Sequence, residues 1–191
     1  MMKLEERVYT VIGAIERLLL TNERVIVAID GRCASGKTTL AAEIAKQLDC
    51  NVFHMDDFFL RPEQRSEERR NAAGENVDHE RFLSEVMIPL SRGEEFSYRP
   101  FSCKTQSLLP PIKVTPKMIS VVEGSYACHE SLFEYYNLCI FSDVDPDEQM
   151  ERITERNGKE GAERFASLWI PLEEKYFERF DVEENCHIVL K

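Results

Sequence analysis

The stretch Val25-Ile26-Val27-Ala28-Ile29-Asp30-Gly31-Arg32-Cys33-Ala34-Ser35-Gly36-Lys37-Thr38-Thr39-Leu40 constrains this chain more than any other. Its five opening apolar residues, rich in β-branched types, read as a buried parallel strand. Leu40, Ala41, Ile44 and Leu48 then recur at helical spacing. Between strand and helix, Gly31-x-x-x-x-Gly36-Lys37-Thr38 completes a phosphate-loop pattern in the context that pattern requires. Gly31 and Gly36 accommodate positive φ, which lets backbone N–H groups curl around a phosphate. The helix start points its positive dipole end into the same concavity. The pattern assigns nucleotide contacts to Gly31, Ala34, Ser35, Gly36, Lys37, Thr38 and Thr39. Lys37 is expected on the outer phosphates and the Thr38 hydroxyl on Mg²⁺.

The rest of the chain supplies more strands at helical intervals. Asn51 to Met55 reads as a short strand running into Asp56-Asp57-Phe58-Phe59. Strand, helix and strand in succession imply a right-handed parallel crossover. Ligands of such sheets bind beyond the carboxyl ends of the strands, which places Asp56 and Asp57 beside the phosphate loop. Met118 to Val122 is another buried strand, ending in Glu123-Gly124, and this acid suits the Mg²⁺ side of a phosphate-loop site. Asn137 to Phe141 is a further strand. Asp145-Pro146 then supplies an N-cap and an N1 proline for a helix carrying Arg152 and Arg156. These arginines are four residues apart and share a face, with Arg164 following after Gly158 and Gly161. Pairing of Arg152 with Glu148 at the surface is the plainer alternative. Residues 170–180 read as a last helix and His187 to Leu190 as a last strand. The expected fold is α/β, a three-layer phosphate-loop domain with a mostly parallel five-stranded sheet.

Five segments elaborate this expected single domain of residues 1–191. Residues 3–20 place Leu4, Val8, Val11, Ile12, Ile15, Leu18 and Leu19 on one helical stripe, suited to covering the outside of the domain. Residues 61–71 offer no apolar side chain except Pro62, so about 61–78 is expected to be a mobile acceptor-side loop or a solvated helix. Helical periodicity resumes from Asp78 through Phe82, Val86 and Leu90. Alternation in Glu95 to Phe101 and the extended Pro110 to Thr115 predict a hairpin excursion over about 95–116. A helical lid is expected over about 152–168.

Charge narrows the partners. With 24 basic and 35 acidic residues, the net charge of −11 argues against a general nucleic-acid or anionic-membrane surface. ATP is still admitted, because the field of the loop is local. No apolar run approaches the roughly 18 residues of a membrane span. Met1 to Arg7 is too acidic for a signal peptide. The six cysteines, at 33, 50, 103, 128, 139 and 186, include no Cys-x-x-Cys pair and read as reduced thiols of a cytoplasmic protein. Association into a homo-oligomer stays open.

Asp56 is the residue that separates one nucleotide chemistry from another. Transfer to a phosphate needs no base, whereas transfer to an alcohol gains from a carboxylate that orients the hydroxyl and takes its proton. An aspartate at a strand tip facing the loop suits a kinase of small alcohols. A nucleotide-binding regulatory protein with little or no turnover is the alternative of another class.

The chain resembles the uridine kinase family, in the group that includes phosphoribulokinase and bacterial pantothenate kinase. The resemblance rests on the Gly31–Thr38 loop, Asp56-Asp57-Phe58-Phe59, Asn76-Val77-Asp78-His79, Glu123-Gly124-Ser125-Tyr126-Ala127, Ile140-Phe141 through Asp145-Pro146, and Arg152-Ile153-Thr154-Glu155-Arg156. It implies a catalytic base at Asp56, a ribose contact at Asp78, a pyrimidine contact at Tyr98, a Mg²⁺-side acid at Glu123 and lid arginines at Arg152 and Arg156. Phe59 stands where the family has a substrate-side tyrosine, and Cys103 where it has a base-selecting histidine. A thiol is a poor partner for a base edge. The implied acceptor is uridine or cytidine; a sugar, a hydroxy acid or a pantothenate-like alcohol is the alternative.

Overall fold

The computed structural model describes residues 2–191. The chain opens with helix α1 (Leu4–Leu19), strand β1 (Val25–Gly31), helix α2 (Lys37–Gln47) and strand β2 (Cys50–His54). Three short helices follow, α3 (Glu67–Asn71), α4 (His79–Phe82) and α5 (Ile88–Arg92). Next comes a ribbon of four short strands, β3 (Phe96–Tyr98), β4 (Phe101–Ser102), β5 (Ser107–Leu108) and β6 (Ile112–Val114). The chain ends with β7 (Ile119–Glu123), α6 (Glu130–Phe133), β8 (Leu138–Ser142), α7 (Pro146–Arg164), α8 (Ile170–Phe180), α9 (Val182–Asn185) and β9 (Ile188–Leu190). The main sheet has the order β2-β7-β1-β8-β9 and is parallel at every pairing.

The three central strands β1, β7 and β8 are buried at every position, which is why they read as unbroken apolar runs. Alternation still decides which layer each residue serves. Val25, Val27 and Ile29 of β1 face one core with Val11 and Ile15 of α1 and Leu40 and Ile44 of α2. Ile26 and Ala28 face the other core, with Val122, Phe141, Tyr176 and Phe177. The sheet is therefore sandwiched between helical layers, and each fully buried aliphatic side chain contributes on the order of 1.5–3 kcal/mol.

Residues 79–92 are helical throughout, and Phe82, Val86 and Leu90 are all buried. The run is not uniform, because Leu83–Met87 forms a π turn just before Pro89. A second π turn, Phe165–Trp169, sits just before Pro171. A proline ring inside a helix clashes with the preceding turn and removes a hydrogen bond; a widened turn absorbs both. Residues 61–71 fold into a 3₁₀ turn at Pro62–Gln64 and the solvated helix α3, whose N-cap Ser66 accepts from the Arg69 N–H at 3.1 Å. In the ribbon, β3 pairs antiparallel with β6, and β4 with β5. It leans on the sheet through aromatic rings, with Phe96 and Tyr98 at 6.1 and 6.0 Å from Phe53. Among the described residues, no helix is long and apolar enough to cross a membrane.

Candidate active site

The strand β1 delivers Gly31 to a place where no side chain fits. With φ at 124°, a Cβ there would lie 2.1 Å from the Ser142 carbonyl oxygen of β8. The loop then curls through Ala34 (φ 59°) and Gly36 (φ 89°) into the first turn of α2. Two buried charges brace it from behind. Arg7 of α1 is 5% exposed; it donates to the Ser35 carbonyl at 2.9 Å and to the Ser142 hydroxyl. Burial, then the nearby charge of Arg152, lower its pKa. Glu173 of α8 accepts from the Cys33 N–H at 2.9 Å and from the Ser125 hydroxyl at 2.6 Å. Lys37 Nζ lies under the loop, donating to the carbonyls of Gly31 at 2.6 Å and Arg32 at 2.9 Å.

Asp30 anchors the same strand end. Its carboxylate is fully buried and accepts from the N–H groups of Gly31, Tyr126 and Cys128 at 2.7, 3.2 and 2.8 Å, and from the Tyr176 hydroxyl at 2.9 Å. Burial raises its pKa to about 6 and outweighs these bonds and the charge of Lys37. It does not line the cleft.

Carboxylates from two strands meet the loop. Glu123, at the tip of β7, accepts from the Thr38 hydroxyl at 3.0 and 3.1 Å and lies 2.5 Å from His54 Nδ1. That contact with Glu123 raises the His54 pKa, against the effect of burial. Asp56, just beyond β2, is reached by water yet walled in on most sides. This desolvation, then the charge of Glu123, raise its pKa, while Lys37 and His54 oppose them. Thr38, Glu123 and Asp56 form a cluster of hard oxygen donors, two of them carboxylates that repel one another. This is a donor set that fits Mg²⁺.

The arginines of α7 approach from above. Arg152 donates to the Ala34 carbonyl at 2.9 Å and pairs with Glu148 at 2.5 Å, so it contacts the loop and also makes the surface pair. Arg156 stacks over Phe165 at 5.5 Å and has no carboxylate partner among the described residues. The helix is broken at Gly158 (φ 72°, ψ 176°), where nothing lies within 4 Å of an added Cβ. Arg164 lines the cleft beyond this break.

These groups share one cleft of about 1180 Å³, room enough for a nucleotide and a small second ligand. Its far side is formed by Phe59, Leu60, Arg65, Arg70, Asn76, Cys103 and Trp169. Of the candidate site residues, Asp56, Lys37, Arg152, Arg156, Ala34, Ser35, Gly36, Thr38, Thr39, Glu123, Phe59 and Arg164 line it. Gly31 lies beneath the loop, and Asp78 and Tyr98 do not line the cleft. Tyr98 falls on the inward side of β3 with Phe96; it is 5% exposed, stacks on Phe58 at 5.5 Å and donates its hydroxyl to Asp57. Asp78 is 2% exposed and caps α4, accepting from the Arg81 N–H at 3.2 Å, with the guanidinium of Arg61 at 3.7 Å. Arg7, Asp30, His54, Glu173, Arg65 and Arg70 escape motif reading. Only Asp30 leaves a signal, as a charge inside an apolar strand.

A parallel sheet of order β2-β7-β1-β8-β9, with a phosphate loop after β1 and acids at the tips of β2 and β7, is the fold of the P-loop kinases. Among solved structures, a possible uridine kinase from Bacillus stearothermophilus aligns over 100% of both chains, with a TM-score of 0.73 and 18% identity. The YFH7 protein of Saccharomyces cerevisiae, a P-loop kinase candidate with a circular permutation, aligns over 99% of both chains with a TM-score of 0.69 and 13% identity. The YGR205w protein aligns over 93% of this chain and 88% of its own, with a TM-score of 0.58 and 13% identity. No family model and no curated protein matches the chain.

Proposed function

We propose that this chain is an ATP-dependent kinase that moves the γ-phosphoryl group to a hydroxyl of a small molecule. The carrying observation is the position of Asp56, a carboxyl of raised pKa facing the phosphate loop across a cleft with room for a second ligand. In this reading the loop N–H groups and Lys37 hold the β- and γ-phosphates. Asp56 orients the acceptor hydroxyl and receives its proton as the new P–O bond forms and the bond from the γ-phosphorus to the β–γ bridging oxygen breaks, with ADP leaving. Thr38 and Glu123, with Asp56 beside them, would hold Mg²⁺, whose charge neutralises the phosphates when bound. Arg152 and Arg156 add positive charge where the transferring group passes.

The segment beyond Gly158 acts here as a lid. Arg156→Ala is then expected to lower kcat by about 10²-fold while the KM for ATP rises less, because its charge is needed most in the transition state. Steady-state kinetics separate the two constants.

Uridine or cytidine is the acceptor implied by the family resemblance. The burial of Tyr98 and Asp78, together with Cys103, favours the second reading, a non-nucleoside alcohol. An ADP-release screen over nucleosides, sugars and hydroxy acids tests the proposal. We expect release that depends on one acceptor and is lost in Asp56→Asn protein. ATP binding with no acceptor-dependent release would turn the chain into a nucleotide-binding regulator.

A further inference from the structure

The cleft has a charge opposite to that of the chain. Eight of its lining residues are Lys or Arg and three are Asp or Glu, in a protein of net charge −11. ATP accounts for part of this excess, since Lys37, Arg152 and Arg156 gather at the phosphate loop. It does not account for Arg65, Arg70 and Arg164, which line the same cleft with Phe59 and Trp169 and make no hydrogen bond to the loop.

Residues 61–71 contain four arginines, and the fold treats them in two ways. Arg61 and Arg69 turn away from the cleft and are neutralised, Arg61 by Glu63 and Asp78, Arg69 by Glu75 and Glu80. Arg65 and Arg70 line the cleft and, among the described residues, have no carboxylate within ion-pair distance; nor has Arg164. Arg65 is also held in place. Its Nε and Nη2 donate to the Leu60 carbonyl at 2.9 and 2.8 Å, and its guanidinium lies 5.8 Å from the Phe101 ring. Nη1 is left without a protein partner. A clamped guanidinium with an open edge is suited to an oxyanion, and little side-chain entropy remains to be lost on binding. Nearby, Asn76 lines the cleft at 7% exposure beside Tyr126. Asp56, Arg65 and Cys103 all line this one cleft.

We infer that the phosphoryl acceptor is an anionic alcohol, with a carboxylate or phosphate bound by Arg65, Arg70 and Arg164 and its hydroxyl presented to Asp56. The inference rests on the kinase reading for the hydroxyl and on the unpaired arginines for the anion. A neutral nucleoside would cover these charges without compensating them, at a desolvation cost.

The test uses matched pairs of alcohols with the intact enzyme and MgATP: glycerate, glycerol 3-phosphate and glycerol; pantothenate and panthenol; ribose 5-phosphate and ribose; and uridine. ADP release gives kcat and KM, and calorimetry gives binding of each compound. An anionic member is expected to exceed its neutral partner at least tenfold in kcat/KM, the carboxylate and phosphate arms identifying the anion. Arg65→Gln should raise the KM for that compound about tenfold or more, with kcat and ATP binding changed much less and with partial rescue by Arg65→Lys. Uridine or another neutral alcohol used as well as its charged partners would overturn the anionic acceptor and leave the kinase standing. Binding of an anionic compound that is lost in Arg65→Gln, with no ADP release, would keep the anion site and overturn the kinase. Neither turnover nor binding with any compound would overturn both.

Discussion

Lys37→Ala is expected to lower kcat/KM for ATP by about 10³-fold, the scale at which a single charge-stabilising donor acts on a developing anion. The geometry makes the loss specific. Lys37 is 8% exposed and held beneath the loop by the carbonyls of Gly31 and Arg32, so its ammonium has one direction in which to meet a phosphate. Alanine removes that charge and also leaves the two carbonyls without their donor. Some thermal stability should therefore be lost along with activity, and the variant must be shown to be folded by circular dichroism before its kinetics are read. Wild-type turnover in folded Lys37→Ala protein would overturn the phosphate-loop assignment.

Asp56→Asn should lower kcat by 10²-fold or more, on the scale of general-base contributions, with little change in ATP affinity. The amide keeps the shape of the side chain and cannot take the proton. The neighbouring carboxyl provides the comparison. Asp57 accepts a hydrogen bond from Tyr98 and stays off the cleft, so Asp57→Asn should cost much less activity. The wild-type pH profile reports the need for an ionised carboxyl rather than which of the two supplies it, since desolvation raises the pKa of Asp57 as well. Asp56 must be ionised to act, and partial desolvation in the cleft, followed by the charge of Glu123, raises its pKa. The acid limb of kcat/KM should then fall above the ordinary carboxylate range, with activity lost as the pH drops through the raised value. An Asp57→Asn variant that is the inactive one, with Asp56→Asn still active, would show that the other carboxylate is the base.

Much of this site was readable because its parts are local. A strand, a loop and a helix in immediate succession define the phosphate loop, and the acids at 56 and 123 follow directly from strand ends. The hairpin was readable because Glu95 to Phe101 alternates. That alternation does not say which face is inward; Tyr98, placed at the substrate only by the family resemblance, packs on Phe53 and Phe58. Asp78, a ribose contact by the resemblance, also stands at the start of a helix, and the cap is the contact the structure shows. The remaining misses depend on long-range pairing. Arg7 reaches Ser35, 28 residues on, and Glu173 reaches Cys33 from 140 residues away. A helix stripe read by its apolar residues passes over an arginine buried among them. Neither π turn shifts the hydrophobic spacing enough to reveal itself, although the prolines at 89 and 171 mark both places.

Asp30 has a bearing on how loss-of-function data for this protein should be interpreted. Its single carboxylate joins the end of β1 to the Tyr126–Cys128 loop and to Tyr176 of α8, and thereby fixes the frame on which the phosphate loop and Glu123 are mounted. A genetic screen scored by phenotype would return substitutions at Asp30 alongside those at Lys37 and Asp56. Mutational sensitivity alone would thus enlarge the catalytic roster by a residue that never meets a substrate. Soluble yield, measured beside activity for each variant, distinguishes the keystone from the chemistry.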